Sequence, residues 1–418
     1  MKTIWRRALA AVLATVAGLA FGNAPAAHAD PSGAPAPRVL NGVGSDTTQD
    51  INNGLAAVVK DGSGNLLLGS WDATPQPSTI TPVTTTFPRP DGSGAGISAL
   101  RAAKTGGTYQ GVTLLNEDLQ FARSSSGATW KKDGNGAYAY VPLAVDAVSF
   151  AVSNTNSVIP INGVGKRELP LGTTIGQDSD GNGVPDLTLK NIYGYDRTNQ
   201  IITLEDSTGT DYTVGAQGTG AQIVPFVPQI NSGTRKFFAE KILGSGDWVA
   251  ADRADWAYTK AGSPVDVQEH DGSVLQDVPG AITPFSIASW IAQNKKASSS
   301  TYFDVYSGVS VTDRRHGAVL GYVNGEAPYT GTSPSLSLNT SFPLARPVFT
   351  VVKVSDLTAI PALADVFQGG NAKAYTAKRP GSLTQLVVTD FGFGNLTGGV
   401  PINGVTYNPG DTTSFTVD

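Results

Sequence analysis

Small hydroxylated residues stand at four points of the chain where an apolar run meets a helical pattern. The clearest example is Pro225 to Leu243, PFVPQINSGTRKFFAEKIL, in which Asn-Ser-Gly-Thr separates an apolar segment from an amphipathic one. A helix N-terminus offers unpaired N–H groups and partial positive charge, hydroxyls add neutral donors, and glycine lets a ligand approach the backbone. Several such turns around one cleft would hold a tetrahedral oxyanion. A single turn is equally well explained as a helix cap, because Ser, Thr and Asp are common N-cap residues.

The other three turns follow the same order. A short strand at residues 38–40 leads into NGVGSDTTQD, for which we predict a helix that begins near Asp46, with Gln49 completing a capping box. DGSGAGISALRAA, from Asp91, predicts a second helix, and LQFARSSSGA, from Leu119, predicts a strand that ends in three serines. Repetition of strand, polar turn and helix predicts an α/β sheet, which binds ligands at the carboxyl ends of its strands.

The set of motifs resembles the phosphate-binding proteins of ABC transporters, which are class II bacterial solute-binding proteins. In chain order the matching segments are GVGSDTT, DGSGAG, FARSSS, VPLAVDAVSFAV, IYG, INSGT and VPGAI, from about Val39 to Val352. The resemblance implies two α/β lobes joined by a hinge, with an anion between them. Carried over position by position, it implies these ligand-binding residues: Ser45, Asp46, Thr47, Gly92 or Ser93, Ser124 or Ser125, Ser232, Gly233 and Thr234.

Two positions depart from the family pattern. The family has an Arg four residues before the serine of SGT, where this chain has Pro228, and an Asp after the Ser of the third turn, where it has Ser125. We expect Arg123 and Asp46 to compensate, as a basic donor and a carboxylate acceptor from neighbouring turns, because a buried charge needs a partner. Asp46→Asn should then weaken the discrimination of phosphate from sulfate. Without that compensation, the ligand is another oxyanion or an organic acid.

A candidate metal site lies in DSDGNGVPD, residues 178–186. Oxygen-bearing side chains stand at loop positions 1, 3, 5 and 9 and glycine at position 6, which resembles the first part of a calcium loop. Position 12 is Leu189 instead of Glu, so a solvated polar turn explains the loop as well as a structural calcium ion does. The calcium ligands would be Asp178, Asp180, Asn182, the Val184 carbonyl and Asp186.

The segment Glu269-His270-Asp271 is a third group that could do chemistry. A carboxylate beside a histidine can serve as a general acid or base. The sequence places no nucleophile near it and contains no Gly-x-Ser-x-Gly, so a structural or solvent-exposed loop is the simpler interpretation. A secreted hydrolase of phosphate esters, with Glu269 or His270 as acid or base, is the alternative function.

The N-terminus and the composition indicate an exported protein. Residues 1–29 contain a basic start, an apolar stretch of about fourteen residues and Ala27-His28-Ala29, the pattern of a signal peptide that is too short to span a bilayer comfortably. Without its three basic residues the net charge changes from −5 to −8, which argues against nucleic acid and anionic membranes as partners. The absence of Cys excludes disulfides and a thiol nucleophile, and only His270 and His316 follow the signal segment, which argues against a His-rich zinc site.

We predict an α/β protein of the two-lobe periplasmic-binding-protein type, with a hinge and an interlobe cleft. It would capture a small oxyanion, with phosphate favoured, as a monomer that needs no cofactor and performs no covalent chemistry. It would supply an ABC permease or act as a scavenger, in the periplasm, at the cell wall or outside the cell. A calcium-stabilised cell-surface protein is a further alternative. The predicted segments are a signal peptide at 1–29, a linker at 30–37, one lobe at 38–144 plus 286–418, and a second lobe at 145–285.

Overall fold

The computed structural model describes residues 30, 38–73, 78–127, 135–194, 201–215, 222–244, 248 and 258–418. The predicted signal peptide and residues 31–37 of the predicted linker lie outside the described residues. The helices are α1 Gln49–Val58, α2 Ser93–Thr105, α3 Leu189–Gly194, α4 Gly233–Leu243, α5 Ser273–Asp277, α6 Ile287–Ser298, α7 Asp356–Ala359, α8 Pro361–Phe367, α9 Lys373–Thr376 and α10 Val387–Asp390. The strands are β1 Leu40–Gly44, β2 Leu68–Ser70, β3 Thr79–Ile80, β4 Phe87–Pro88, β5 Thr108–Tyr109, β6 Val112–Thr113, β7 Phe121–Ser124, β8 Tyr138–Ser153, β9 Glu168–Leu169, β10 Ile202–Glu205, β11 Asp211–Val214, β12 Val224–Pro225, β13 Tyr258–Lys260, β14 Ser263–Val265, β15 Ala281–Ser286, β16 Ala318–Leu320, β17 Tyr322–Val323, β18 Tyr329–Thr330, β19 Ser337–Leu338, β20 Ala345–Lys353, β21 Val400–Ile402, β22 Val405–Tyr407 and β23 Thr416–Val417.

Nine strands form one mixed sheet around β8. Its order is β12-β15-β8-β20-β7-β1-β2, and β16 and β23 also pair with β8. The β1–β2, β1–β7 and β12–β15 pairs are parallel, whereas β8 pairs antiparallel with β15 and β20. β8 runs for 16 residues and is buried at all but the last, as expected of a strand covered on both faces. It pairs with β20 through residues 138–147 and with β15 through residues 148–152, so one strand connects the two halves of the sheet.

Two hydrophobic cores cover the two faces of this sheet. Successive residues of β7, Phe121 and Ala122, belong to different cores, and so do Val351 and Val352 of β20. This division follows from the alternation of side chains along a strand. Full burial of one large apolar side chain contributes about 1.5–3 kcal/mol to the free energy of unfolding. Because each core contains many such side chains, the two cores together hold in place the strands whose ends carry the polar turns.

The first predicted helix forms, but its start differs from the prediction. α1 begins at Gln49 with Thr48 at the N-cap and no side-chain cap bond, so the predicted capping box is wrong. The Asp46 carboxylate instead accepts a hydrogen bond from the Thr47 N–H, and the Gln49 side chain accepts one from the Ala73 N–H. Both side chains are used in long-range or turn contacts, which leaves them unavailable to each other.

The second helix and the strand before the serine run form as predicted, whereas the first strand, predicted at residues 38–40, is β1 at Leu40–Gly44. α2 follows the DGSG turn, and β7 ends at the serine run. Ser232 caps α4, since its hydroxyl accepts from the N–H groups of Thr234 and Arg235 at 3.1 Å each. Within the described residues, no helix combines the length and the apolarity that crossing a bilayer requires.

Candidate anion-binding site

The site is built at the carboxyl ends of two parallel strands. Gly44 at the end of β1 stands opposite Arg123 of β7, and the Ser45 N–H donates to the Arg123 carbonyl at 3.1 Å. The N-terminal part of α2 packs directly on β1, because a Cβ at Gly96 would lie only 2.4 Å from the Gly44 Cα. This close approach brings the first three polar turns to one edge of the sheet, where α/β folds place their ligands.

Five hydroxyl side chains from the four predicted turns meet there. The Thr47 and Thr234 hydroxyls lie 3.3 Å apart, and those of Ser93 and Ser125 also lie 3.3 Å apart. Gly233 connects the two pairs, since a Cβ at that position would lie 2.4 Å from Ser93 Oγ and 2.5 Å from Ser125 Oγ. We call the group the hydroxyl cluster. Its members are each at most 2% exposed: Thr47, Ser93, Ser125, Ser232 and Thr234.

The Glu269 carboxylate is the acceptor for three of these hydroxyls. Its Oε1 accepts from Thr47 at 2.5 Å and from Thr234 at 3.0 Å, and its Oε2 accepts from Ser232 at 3.1 Å. Glu269 is completely buried. The donors of the cluster are therefore arranged around a negatively charged carboxylate, beside the positive N-terminal end of α4.

Arg346 supplies the positive charge at the cluster. Its Nη2 donates to Thr234 Oγ1 at 2.7 Å and to Asp146 Oδ2 at 2.8 Å, and its Nη1 donates to the Ser125 carbonyl at 2.9 Å. Asp146 stands opposite Arg346 in the β8–β20 ladder and also accepts from the Ser286 hydroxyl at 3.1 Å. A cavity of about 220 Å³, lined in part by Ser125 and Arg346, adjoins the cluster.

The buried acidic groups beside the cluster have altered proton affinities. Burial raises the pKa of Asp46 well above its ordinary range, and the neighbouring Glu269 adds to the rise. Burial also raises the pKa of Glu269, but the hydrogen bonds to its carboxylate, including the one from Thr47, outweigh that effect and hold the pKa below its ordinary value. Burial lowers the pKa of His270 to about 3, so its imidazole is neutral.

Two residues predicted to bind the ligand, Arg123 and Ser124, make other contacts. The Arg123 guanidinium donates to the carbonyls of Ser45, Gly44 and Trp71 at 2.8 to 3.2 Å, which ties β1 to β7 and to the segment after β2. The Ser124 hydroxyl donates to the Ser126 carbonyl at 2.8 Å, within its own turn. Arg346 therefore contacts the hydroxyl cluster, whereas the described hydrogen bonds of Arg123 go to backbone carbonyls and to the Ser70 hydroxyl, at 3.1 Å.

The remaining predicted residues lie beside the cluster. Ser45 is fully buried, and its hydroxyl has no hydrogen-bond partner among the described residues. Gly92 is the N-cap of α2 and lies against the backbone of Asn231, where a Cβ would meet the Asn231 carbonyl oxygen at 2.4 Å. Asp46 accepts from the Thr47 N–H at 3.1 Å and from Gln229 Nε2 at 3.2 Å. Ligand binding by these residues stays a prediction.

A family comparison places this chain among known proteins. A family model described as a PBP superfamily domain matches residues 39–368. The chain belongs to the PBP superfamily. With the mixed central sheet, this membership confirms the predicted periplasmic-binding-protein type of two-lobe α/β fold. The chain has no significant match among curated protein sequences.

Solved structures that resemble this PBP-superfamily chain share little sequence with it. A structure assigned to a phosphate ABC transporter substrate-binding protein with bound phosphate from Clostridium perfringens is 14% identical, with 85% of this chain and 98% of that chain covered and a TM-score of 0.44. An ABC-type phosphate transport receptor from Vibrio cholerae is 12% identical, with 85% and 99% covered and a TM-score of 0.41. PstS from Borrelia burgdorferi is 13% identical, with 86% and 98% covered and a TM-score of 0.36. Since these scores lie below 0.5, the chemistry of the site rests on the contacts of this chain itself.

The calcium-like loop of this PBP-superfamily chain uses its side chains locally. Asp178 accepts from the N–H groups of Gly181 and Gly183, and Asp186 accepts from the Ser179 hydroxyl and N–H. In the described part of the chain, the Asp178, Asp180 and Asp186 carboxylates do not form a group with metal-ligand spacing. A cleft of about 630 Å³ runs beside this loop and shares no lining residue with the hydroxyl cluster. Calcium binding by Asp178, Asp180, Asn182, Val184 and Asp186 stays a prediction.

Residues 269–271 were predicted to form a structural or solvent-exposed loop, and the burial of the first two residues leaves only the structural alternative for them. Glu269 is 0% exposed and His270 1% exposed. Sequence reasoning named Glu269 only as a candidate acid or base, and it did not identify Asp146 and Arg346 as site residues. A signal was present for those two, because each is a charged residue inside a mostly apolar strand, where burial demands a partner.

Proposed function

We propose that this protein is an exported solute-binding protein that captures a small oxyanion, with phosphate favoured, for uptake by an ABC permease or for scavenging. The observation that carries the proposal is the set of hydrogen bonds from Thr47, Ser232 and Thr234 to the Glu269 carboxylate. These donors come from separate segments, and together they surround the Glu269 carboxylate, which is itself an oxyanion. The same donors can surround an oxyanion ligand, with Arg346 as the adjacent cation.

Glu269 gives the site a reason to prefer a protonated oxyanion. A carboxylate in contact with the ligand donors accepts a hydrogen bond from the P–OH group of phosphate but repels sulfate, which carries no proton at neutral pH. This assigns to Glu269 the acceptor role that the sequence suggested for Asp46. Arg346 takes the role of the basic residue missing at Pro228.

We place the lobes where the sequence suggested, at 38–144 plus 286–418 and at 145–285. The supporting feature is β8, which pairs with β20 at one end and with β15 at the other. The β8–β20 register shifts between Val348 and Phe349, and Phe349 pairs with Pro142, close to one proposed crossing. Donors from both lobes would close on the anion, so the closed form gains stability when the ligand is present. We propose a monomer that needs no cofactor and performs binding without covalent chemistry.

The test is titration calorimetry of the full chain with phosphate and sulfate, before and after Thr234→Val. We expect one binding event with phosphate, at least about tenfold weaker binding of sulfate, and a loss of at least about tenfold in phosphate affinity in the variant, since a buried partner left unpaired costs about 1–3 kcal/mol. The matched control is Thr330→Val, because Thr330 is an exposed threonine outside the site. Equal affinity of both Thr variants would contradict the proposed site, and no heat with any oxyanion would contradict the function.

A further inference from the structure

Two carboxylates and one imidazole lie together on the side of the hydroxyl cluster occupied by Asp46. One ligand atom each from Asp46, Glu269 and His270 falls within 4.8 Å of the other two, and all three residues are buried. Among the described residues, this is the one group of at least three acidic or histidine side chains with such spacing. Clustered carboxylates alone do not make a metal site, so the case for metal binding depends on the hydrogen bonding of the His270 imidazole.

The His270 side chain is buried and has no hydrogen-bond partner in the part of the chain that the structure describes. Neither Nδ1 nor Nε2 has one among the described residues, and the residue is 1% exposed. A buried polar group of this kind costs about 1–3 kcal/mol when it is left unsatisfied, so native structures seldom keep one without a reason. A metal ion bonded to one of the ring nitrogens would remove part of this cost.

The distance between His270 and Asp46 fits two ligands of one metal ion. Nδ1 of His270 lies 3.8 Å from Asp46 Oδ2, which is long for a hydrogen bond. Two ligands that each lie about 2.1 Å from a tetrahedral zinc ion are separated by roughly 3.4 Å, so a small adjustment brings both atoms onto one ion. The same ion would neutralise the repulsion between the Asp46 and Glu269 carboxylates.

Gln229 adds an oxygen beside the same group. Its Nε2 donates to Asp46 Oδ2 at 3.2 Å, while its Oε1 is buried without a partner among the described residues. Rotation of the amide by half a turn exchanges these two atoms. The Gln229 amide oxygen would then lie next to the Asp46 carboxylate. Two oxygen atoms placed together in this way favour a cation between them.

We propose that Asp46, Glu269 and His270 bind a divalent transition-metal ion of the kind that accepts mixed oxygen and imidazole ligands, with zinc as the reference ion. The site differs from the calcium-like loop in both residues and ligand chemistry. Three protein ligands leave one position of a tetrahedral ion open. Because Glu269 also belongs to the proposed anion site, metal binding is measured without any oxyanion, so the two proposals fail independently.

The first experiment measures zinc binding to tag-free, chelator-treated full chain by titration calorimetry and by elemental analysis after dialysis. We expect about one equivalent of tightly bound zinc, and manganese tests whether a harder ion binds better. Replacing a residue that hydrogen-bonds to a metal ligand weakens metal binding about 10- to 100-fold, and replacing the ligand itself weakens it at least as much. We therefore expect His270→Ala and Glu269→Gln each to reduce the zinc affinity at least tenfold. The matched control is His316→Ala, whose side chain is 41% exposed, and it should bind zinc as the parent does.

A second experiment does not depend on the stability of those variants. The chain contains three histidines, so a His28→Ala, His316→Ala double variant retains His270 alone. X-ray absorption spectroscopy of this zinc-loaded protein should show a single imidazole together with oxygen ligands. Zinc bound through oxygen only would overturn the proposal, as would the absence of stoichiometric binding by the parent with either zinc or manganese.

Discussion

The Thr47 hydroxyl donates a 2.5 Å hydrogen bond to the Glu269 carboxylate across 222 residues of sequence. Thr47 follows β1, and Glu269 lies in the segment before α5, so this bond joins two distant parts of the chain. Ser232 and Thr234 donate to the same carboxylate. The arrangement shows that the turns with hydroxyl side chains form a set of donors with a common acceptor, beyond their part in capping helices.

The first prediction separates the two acidic residues near the cluster. Glu269 contacts three hydroxyls, whereas the hydrogen bonds of Asp46 run to the Thr47 N–H and to Gln229. We expect Glu269→Gln to reduce the preference for phosphate over sulfate by at least about tenfold, because an amide no longer demands a proton from the ligand. Asp46→Asn should change the preference by less than about threefold. Calorimetry of both variants in EDTA-containing buffer, which also removes any bound metal ion, measures the ratio. A larger effect at Asp46 would return the acceptor role to that residue.

The second prediction concerns Arg346, which pairs with Asp146 in the sheet. Arg346→Gln should lower the free energy of unfolding by about 3–5 kcal/mol, because the Asp146 carboxylate is left buried without a cation. It should also weaken phosphate binding roughly 10- to 100-fold through loss of a charge-assisted donor. Urea unfolding and calorimetry measure the two effects separately. The double variant Arg346→Gln, Asp146→Asn should recover stability but not affinity.

Arg123 provides the comparison for Arg346. Arg123→Gln should lower stability as well, since the guanidinium holds the carbonyls of Gly44, Ser45 and Trp71. Its folded form should bind phosphate within about threefold of the parent, because none of these described bonds reaches the hydroxyl cluster. If Arg123→Gln lost affinity while Arg346→Gln kept it, Arg123 would be the cation of the site.

The third prediction tests the close approach at Gly233. A methyl group there would meet the Ser93 and Ser125 hydroxyls at 2.4 and 2.5 Å, so Gly233→Ala should push α4 away from the second and third turns. Phosphate binding should fall by at least about tenfold with little loss of helical circular dichroism, because alanine favours a helix. The control is Gly94→Ala in α2, where a Cβ meets nothing within 4 Å. That variant should bind normally and gain up to about 1 kcal/mol of stability.

The fourth prediction concerns pH and Asp72. Burial raises the pKa of Asp72 to about 7, well above the value of about 3.9 in an unfolded chain. The stability that this group contributes is fully present below pH 3.9 and is lost as the pH rises through 7. Asp72→Asn should therefore be similar to the parent at pH 4 and more stable at pH 8, by up to about 4 kcal/mol.

Urea unfolding of the parent and of Asp72→Asn at the two pH values measures this difference. The same substitution at Asp365, an exposed residue paired with Lys373, controls for the loss of a carboxylate as such. If the free energy of unfolding changed with pH by the same amount in the parent and in Asp72→Asn, Asp72 would have an ordinary pKa in the folded state.

The sequence by itself determined most of the local elements and the family, although it misplaced the start of α1. The strand ends, the N-terminal parts of α2 and α4 and the serine after β7 all follow from short-range rules of capping, side-chain period and glycine placement. These rules act within a few residues, so a single chain displays them directly. The prediction that Gly92 or Ser93, Ser124 or Ser125, and residues 232–234 share one site also needed the order of the motifs along the chain.

Only the tertiary structure decided which charged groups complete the site. Arg346 and Asp146 are 200 residues apart, and Glu269 reaches Thr47 over a still longer separation. Strand pairing across a sheet brings such residues together, and no local pattern records which buried charge will meet which partner. Charges inside the apolar strands indicate only that partners must exist, because burial without them is too costly. The fold alone identifies those partners.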